Sequence, residues 1–293
     1  MDYETKRRAH QAAIEKCNEA CETGDLVTIK RLFGFQTSIA RIGGTAPTED
    51  EELQALLGPD DAHECLIWVV GEDDLPVSRG LLELGIVDLH RSPIRLLTGV
   101  KSQAMLEVLA EFGFDFRQYG HNILHQFITP ISILRYLLDL GADPKKPIVP
   151  SLVPFLKKGE TDNTTQCLNE AAAQCDIPAF ELLVSRGAEP ARSIALHRAT
   201  RFKGANNGGT TVTDMIAYLI DRHGMDPNAK DDCAGLRDLM TAFREEGKPL
   251  EYALANENRE AAVALVKKGA EPGRVTNKEK ADGIRRLIDG IMI

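Results

Sequence analysis

The sequence predicts an all-α protein built from about seven stacked helix–turn–helix repeats with irregular loop insertions. One observation is an apolar helical stretch that ends in Gly, one residue and an acid, often followed by Pro. Clear copies are LLDLGADP, LLVSRGAEP, LIDRHGMDP and LVKKGAEP, ending at Pro144, Pro190, Pro227 and Pro272, and weaker copies end at Asp88 and Asp115. A second observation is a helix-opening segment about twenty residues before the closing glycine. Recurrence at this period is typical of stacked-repeat architectures.

Each repeat carries the signals of two helices and a terminator. Pro93 and Pro249 stand at first helical positions, where a missing N–H costs nothing and φ is already set. The closing glycine suits the left-handed residue that ends a helix, and a proline soon after prevents the helix from continuing. The distance from opening to closing is twenty residues in the repeats that end at Gly113, Gly187 and Gly269. Each such hairpin is too small to bury its apolar face alone, so it must stack on its neighbours.

The repeat pattern resembles that of ankyrin-repeat proteins. The openings NILHQF, IALHRA and KPLEYA, and the closings GADP, GAEP and GMDP, match the family's two characteristic segments. The stretch from Ala13 to Phe35 resembles a starting repeat with its turn at Thr23-Gly24-Asp25, and a degenerate unit runs from Cys65 to Gly85. The resemblance implies a single ankyrin-type α-solenoid and a role in protein–protein recognition.

The predicted organisation is one solenoid over residues 1–293. It comprises an N-terminal capping repeat (1–35), an acidic insertion (36–64), central repeats (65–275) interrupted at 144–165, 203–211 and 228–247, and a C-terminal capping helix (276–293). The insertion at 203–211 is rich in Gly and Asn, which favours a loop. It accounts for the longer spacing of its repeat.

Composition excludes some classes of partner. A formal charge of −9 argues against direct nucleic-acid binding and against anionic membranes, both of which require clustered Lys and Arg. No apolar run approaches the roughly twenty residues that span a bilayer, and the charged start lacks a signal peptide's apolar stretch. We therefore expect a cytoplasmic or nuclear protein, whose six cysteines are free thiols.

Several histidines and cysteines could act as metal ligands, redox groups or nucleophiles, but each also has a simpler structural interpretation. His121 and His125 stand four residues apart, as helical metal ligands do, but His125 and His197 occupy the opening-motif histidine, which the resemblance implies bonds backbone. Cys17 and Cys21 lie one helical turn apart, and we interpret them as small buried residues rather than a metal or redox pair. Cys167 has no identifiable base for a nucleophilic role. Trp68, in an apolar run, is assigned to the core. No catalytic residue, metal or cofactor is predicted.

The resemblance implies a binding surface formed by loops, called fingers, and by the exposed side of each first helix. The residues at these positions are Arg91, Arg95, Arg117, Tyr119, His121, Gln126, Arg192, Arg198, Arg201, Lys230 and Glu251. Arg and Tyr are common at interface hot spots, and locally positive fingers suit an acidic peptide or surface. The predicted function is a non-catalytic intracellular scaffold, adaptor or regulatory subunit. The alternative is an enzyme or small-ligand-binding protein built on a degenerate ankyrin stack.

Overall fold

The computed structural model describes residues 3–33, 57–146, 148, 166–231 and 247–271, and this part of the chain is helical with no strand. Its only bridge pairing in the described ranges joins Ala205 to Thr211. None of the described helices is both long enough and apolar enough to cross a membrane. The chain divides into two compact units, residues 1–115 (unit 1) and 116–293 (unit 2).

Unit 1 contains three helical hairpins in its described residues. Their helices are α1 (Tyr3–Thr23), α2 (Leu26–Phe33), α3 (Pro59–Gly71), α4 (Leu75–Glu83), α5 (Pro93–Thr98) and α6 (Gln103–Glu111). The first helices α1, α3 and α5 contact one another in sequence, and the second helices α2, α4 and α6 do the same. Unit 1 is therefore two parallel rows of helices with apolar side chains buried between them, among them Ile29, Leu66, Leu81 and Leu106.

Unit 2 repeats the same plan. Its helices are α7 (Phe116–Tyr119), a 3₁₀ segment (Gly120–Phe127), α8 (Ile131–Asp139), α9 (Gln166–Ala173), α10 (Ile177–Ser185), a short 3₁₀ turn (Pro190–Arg192), α11 (Ala195–Ala199), α12 (Val212–His223), α13 (Pro249–Ala255) and α14 (Arg259–Lys267). The 3₁₀ segment 120–127, α9, α11 and α13 form the first row. In the second row α8 contacts α10, α12 contacts α14, and the rings of Phe180 and Tyr218 join α10 to α12.

The turn inside each hairpin is built from local signals. A left-handed residue precedes the second helix at Gly24, Asp73, Cys175 and Glu257. The next side chain then accepts a hydrogen bond from the backbone of the new helix, at Asp25, Asp74, Asp176 and Asn258. Such caps satisfy N–H groups that have no partner within the helix. The hairpin turns are thus specified by short-range chemistry.

The closing motif of each repeat has a structural explanation. Gly85, Gly113, Gly141, Gly187, Gly224 and Gly269 all follow a second helix and have positive φ, between 64° and 99°. This confirms the sequence prediction, since only glycine adopts that conformation without a side-chain penalty. The acid two or three residues later accepts a backbone N–H: Asp88 from His90, Asp143 from Lys145 and Asp226 from Asn228. In these repeats the acid fixes the turn that leads to the next hairpin.

Some boundaries differ from the prediction. Helix α3 begins at Pro59, so the residues up to 64 belong to a helix rather than to the acidic insertion. The NILHQF opening is 3₁₀ rather than α. This repeat is compressed to eighteen residues from Ile123 to Gly141, and a 3₁₀ helix rises about 2.0 Å per residue against 1.5 Å for an α-helix, so it covers the same length with fewer residues.

The predicted insertion at 203–211 is a loop, as expected. Asn206 organises it: its Oδ1 accepts the N–H groups of Gly208 and Thr210, and its Nδ2 donates to the carbonyl of Cys175. The capping helix at 276–293 and most of the predicted insertions at 36–64, 144–165 and 228–247 lie outside the described residues.

Candidate functional site

Three of the segments that lead into the first helices of unit 2 carry an exposed basic residue, before its first, third and fourth hairpins. Arg117 lies in α7, Arg192 ends the short 3₁₀ turn, and Lys230 follows α12. Arg201, at the end of α11, is also exposed. Together with Gln126, which is exposed, and Tyr119, which is half-buried, these residues form what we call the loop surface.

Side-chain hydrogen bonds hold the loops of unit 2 in place. Lys146 donates from Nζ to the carbonyl of Arg117 at 2.9 Å, which joins two consecutive loops. Asn228 donates to the carbonyl of Gly269 at 2.9 Å and accepts the N–H of Glu271 at 2.7 Å. His197 Nε2 lies 3.2 Å from the carbonyl oxygen of Ala229, which agrees with the backbone-bonding role expected for the opening-motif histidine. Loops fixed in this way lose little conformational entropy when a partner binds.

Two residues predicted for the binding surface are buried. Arg198 is 8% exposed and its guanidinium lies 3.4 Å from Glu170 Oε2, within the first row of helices. His121 is 9% exposed. Both side chains offer a partner too little area, so they are removed from the surface that the sequence suggested.

Three other predicted residues have partners within the chain. Arg91 is ion-paired with Asp60, and Arg95 with Glu64 at 2.6 Å, so both bind α3 of unit 1. Glu251 is half-buried, and its Oε2 accepts the N–H of Lys248 at 2.9 Å, which caps α13. These contacts give each side chain a structural role.

The opposite face of unit 2 uses its charges differently. Arg186 pairs with Asp139 at 2.5 Å, Arg222 with Glu181 at 3.9 Å, and Lys268 with Asp221. Each pair joins the second helix of one hairpin, or the residues just after it, to the second helix of the preceding hairpin. Charges on this face therefore serve the stacking of hairpins.

Burial determines the protonation states of Cys167, Cys175 and His125 in unit 2, which are not part of the loop surface. Burial raises the pKa of Cys167 and of Cys175 to about 12, so both thiols are protonated at neutral pH and neither is an activated nucleophile. Burial lowers the pKa of His125, whose Nδ1 has no hydrogen-bond partner among the described residues. His125 is neutral near pH 7, which fits a packing role.

Sequence reasoning missed a second feature, in unit 1. Cys65 of α3 lies against Cys17 and Cys21 of α1, and the three sulfur atoms are all within 4.8 Å of one another. A half-open cavity of about 500 Å³ borders Cys17 and Cys65. Trp68 lines this cavity and is 37% exposed, so its assignment to the core was wrong. The i, i+4 spacing of Cys17 and Cys21 was a signal for the cluster, but nothing local to the sequence identifies Cys65 as the third member.

Comparison of the chain with protein-family models, curated proteins and solved structures found no significant match.

Proposed function

We propose that the chain is a degenerate ankyrin-type stack that acts as a non-catalytic interaction scaffold, adaptor or regulatory subunit. In this proposal the loop surface of unit 2 binds a protein partner. The observation that carries the proposal is the contrast between the two faces of unit 2. One face pairs its charges between the second helices of neighbouring hairpins. On the other face Arg117, Arg192 and Lys230 are exposed, Arg192 lies 3.7 Å from Glu189 of its own turn, and hydrogen bonds fix the segments around Arg117 and Lys230.

The two rows of helices support the ankyrin-type interpretation. The left-handed glycines after six of the described hairpins are what the repeat pattern implies, and from α5 onward the first helix of each hairpin is shorter than the second. A stack of this kind exposes a long series of loops, and repeat proteins use such extended surfaces for recognition.

The chemistry of the loop surface favours an acidic peptide as the partner. Three exposed cations on three hairpins of one stack match an extended acidic segment better than a single charged group. A guanidinium group such as that of Arg117 or Arg192 can form bidentate hydrogen bonds with a partner's carboxylate, and the half-buried ring of Tyr119 adds apolar area at low entropic cost.

A charge-reversal experiment tests the proposal. The variant carries Arg117→Glu, Arg192→Glu and Lys230→Glu, and is compared with the wild-type protein in quantitative affinity capture from cell extract and in binding to a fluorescent glutamate-rich peptide. Because favourable charge pairs become repulsive, we expect at least a 10-fold loss of peptide affinity and loss of the captured partner.

The control variant carries Arg186→Glu and Arg222→Glu on the opposite face. This control also replaces basic side chains by glutamate, but on the face outside the proposed binding site, so it should still capture the partner. Equal capture by the wild-type protein and the loop-surface variant, or equal losses in both variants, would reject the loop surface as the binding site.

A further inference from the structure

Three thiols meet in the core of unit 1. Cys17 and Cys21 lie one turn apart on the same side of α1, and Cys65 comes from α3, which packs against α1. The sulfur atoms of Cys17 and Cys65 are 3.2 Å apart, and all three sulfur atoms lie within 4.8 Å of one another. Cys17 is 1% exposed, Cys21 is 2% exposed and Cys65 is 8% exposed. The cluster is therefore a compact, dry triangle of sulfur donors.

The size of this triangle fits a metal ion. Zinc–thiolate bonds are about 2.3 Å long, so three sulfur atoms around one ion in a plane are about 4.0 Å from one another. The observed separations, from 3.2 Å up to at most 4.8 Å, bracket this value. The three sulfur atoms thus already lie near the spacing that one ion requires, on two helices that pack against each other.

The surroundings supply a route for a cation. Cys17 and Cys65 lie on the wall of the 500 Å³ cavity, whose lining also includes Glu22, Asp61, Glu64 and Arg95. Arg95 pairs with Glu64, but three carboxylates against one guanidinium leave the lining with a net negative charge, which favours entry of a cation. Cys21 lies behind Cys17 and Cys65, at 2% exposure, so that the cluster opens to the cavity on one side.

The donor set selects the class of metal. Three sulfur ligands, with no carboxylate or imidazole in the group, suit thiophilic ions and do not suit Mg²⁺, Ca²⁺ or Mn²⁺, which prefer oxygen. Within the described ranges, no other set of three or more His, Cys, Asp or Glu side chains is arranged to hold a metal. The buried cysteines Cys167 and Cys175 of unit 2 belong to no such set.

We propose that Cys17, Cys21 and Cys65 form a three-thiolate site for a thiophilic d¹⁰ cation, Zn²⁺ or Cu⁺. On binding, three S–H bonds break, three metal–sulfur bonds form, and three protons leave to solvent, so no oxidant or reductant is required. Zn²⁺ takes a fourth ligand, which the cavity supplies as water, whereas Cu⁺ is satisfied by three thiolates. Because the ligands come from α1 and α3, the ion would cross-link the first two hairpins of unit 1.

The test uses the full-length protein, reduced and freed of metal. It is titrated with Zn²⁺ against a chromophoric chelator and, in a separate anaerobic arm, with Cu⁺ against a copper-specific chelator. Cd²⁺ serves as a spectroscopic probe because its thiolate complexes absorb in the ultraviolet. We expect one ion per chain, a cadmium–thiolate band, and a higher melting temperature with metal bound.

Cysteine mapping gives a readout that needs no substitution. The bound ion should protect Cys17, Cys21 and Cys65 from an alkylating reagent under partly denaturing conditions, and should leave Cys167, Cys175 and Cys233 unprotected. Protection spread evenly over all six cysteines would overturn the proposal.

Matched variants separate ligation from folding. Cys65→Ala should lower affinity about 100-fold or more, since a lost ligand costs at least as much as the 10- to 100-fold typical of a lost supporting residue. Cys175→Ala, an equally buried cysteine of unit 2, should bind metal like the wild-type protein. Circular dichroism verifies that each variant keeps its helices, and Cys21→Ser provides a second ligand variant if Cys65→Ala does not fold. Metal binding that is unchanged in a folded ligand variant would refute the site.

Discussion

Units 1 and 2 share a hairpin plan but differ in the buried groups that join successive hairpins. Leu66, Val69 and the cysteine cluster are fully or almost fully buried between the hairpins of unit 1, whose charged pairs, such as Arg95–Glu64, lie at exposed positions. In unit 2, buried amides bridge the hairpins. Asn169 accepts the N–H of Ile194 at 3.0 Å, and Asn258 donates to the carbonyls of Thr200, at 2.8 Å, and Phe202.

The difference shows how one repeat tolerates two kinds of core. Apolar contacts are nondirectional and accept many substitutions of similar volume, whereas a buried amide requires its partners in place. Unit 2 therefore has buried directional bonds between hairpins, whereas the core of unit 1 contains three polarizable thiols. The following substitutions test this contrast, beginning with the largest expected effect.

Leu66→Ala in α3 should destabilise unit 1 most. Leu66 is fully buried between the rows of helices, so its truncation leaves a cavity and should cost about 3 kcal/mol. Hydrogen-exchange mass spectrometry should show faster exchange in α1, α3 and α5, with unit 2 unaffected. A loss below about 1 kcal/mol would show that the core of unit 1 collapses around the vacancy or depends on other contacts.

Asn258→Ala should be the corresponding change in unit 2. It removes the cap of α14 and leaves the carbonyls of Thr200 and Phe202 without their donor, so we expect a loss of about 2 to 3 kcal/mol. The same exchange measurement should show faster exchange in α11, α13 and α14.

A control for Asn258 is Asn258→Asp, which retains the capping acceptor and removes the donor. It should be destabilised as well, since the two carbonyls lose their hydrogen bonds. If Asn258→Asp had the same free energy of unfolding as the wild-type protein, the hydrogen bonds from Asn258 to Thr200 and Phe202 would contribute nothing to stability. Asn258 would then act only as the cap of α14.

Acid should weaken both units by a smaller amount through histidines whose pKa is lowered by burial. These are His63 in unit 1 and His125 and His223 in unit 2, all with a pKa below the ordinary value of 6.5. In the unfolded chain these rings take up protons near pH 6.5, while the folded protein keeps them neutral. Stability is therefore full above pH 6.5 and declines as pH falls toward the folded-state pKa values.

Urea denaturation between pH 7.5 and 5 measures this decline. His63→Gln should flatten the pH dependence of unit 1, and His125→Gln should reduce that of unit 2, where His223 also contributes. If the free energy of unfolding of a unit changed with pH in the variant as it does in the wild-type protein, groups other than the substituted histidine would cause the acid sensitivity of that unit.

Much of the fold could be predicted because the relevant signals are local. The left-handed glycines at 141, 187 and 269 and the turn at Gly24-Asp25 depend on residues within one turn of chain. Predictions about exposure were less accurate. Trp68 is partly exposed because it borders a cavity, and Arg198 is buried because Glu170 of another helix receives it. The sequence around Trp68 gives no sign of the cavity, and the sequence around Arg198 gives no sign of its contact with Glu170.

By itself the sequence determined the helical hairpins and their ends, because glycine conformations, caps and proline positions act over a few residues. Tertiary structure alone decided which side chains meet between hairpins. Cys65 reaches Cys17 across 48 positions, and Asn258 reaches Thr200 across 58, since stacking brings together helices that are distant along the chain. The hairpin is a local consequence of the sequence, and the thiol cluster and the loop surface are consequences of how the hairpins stack.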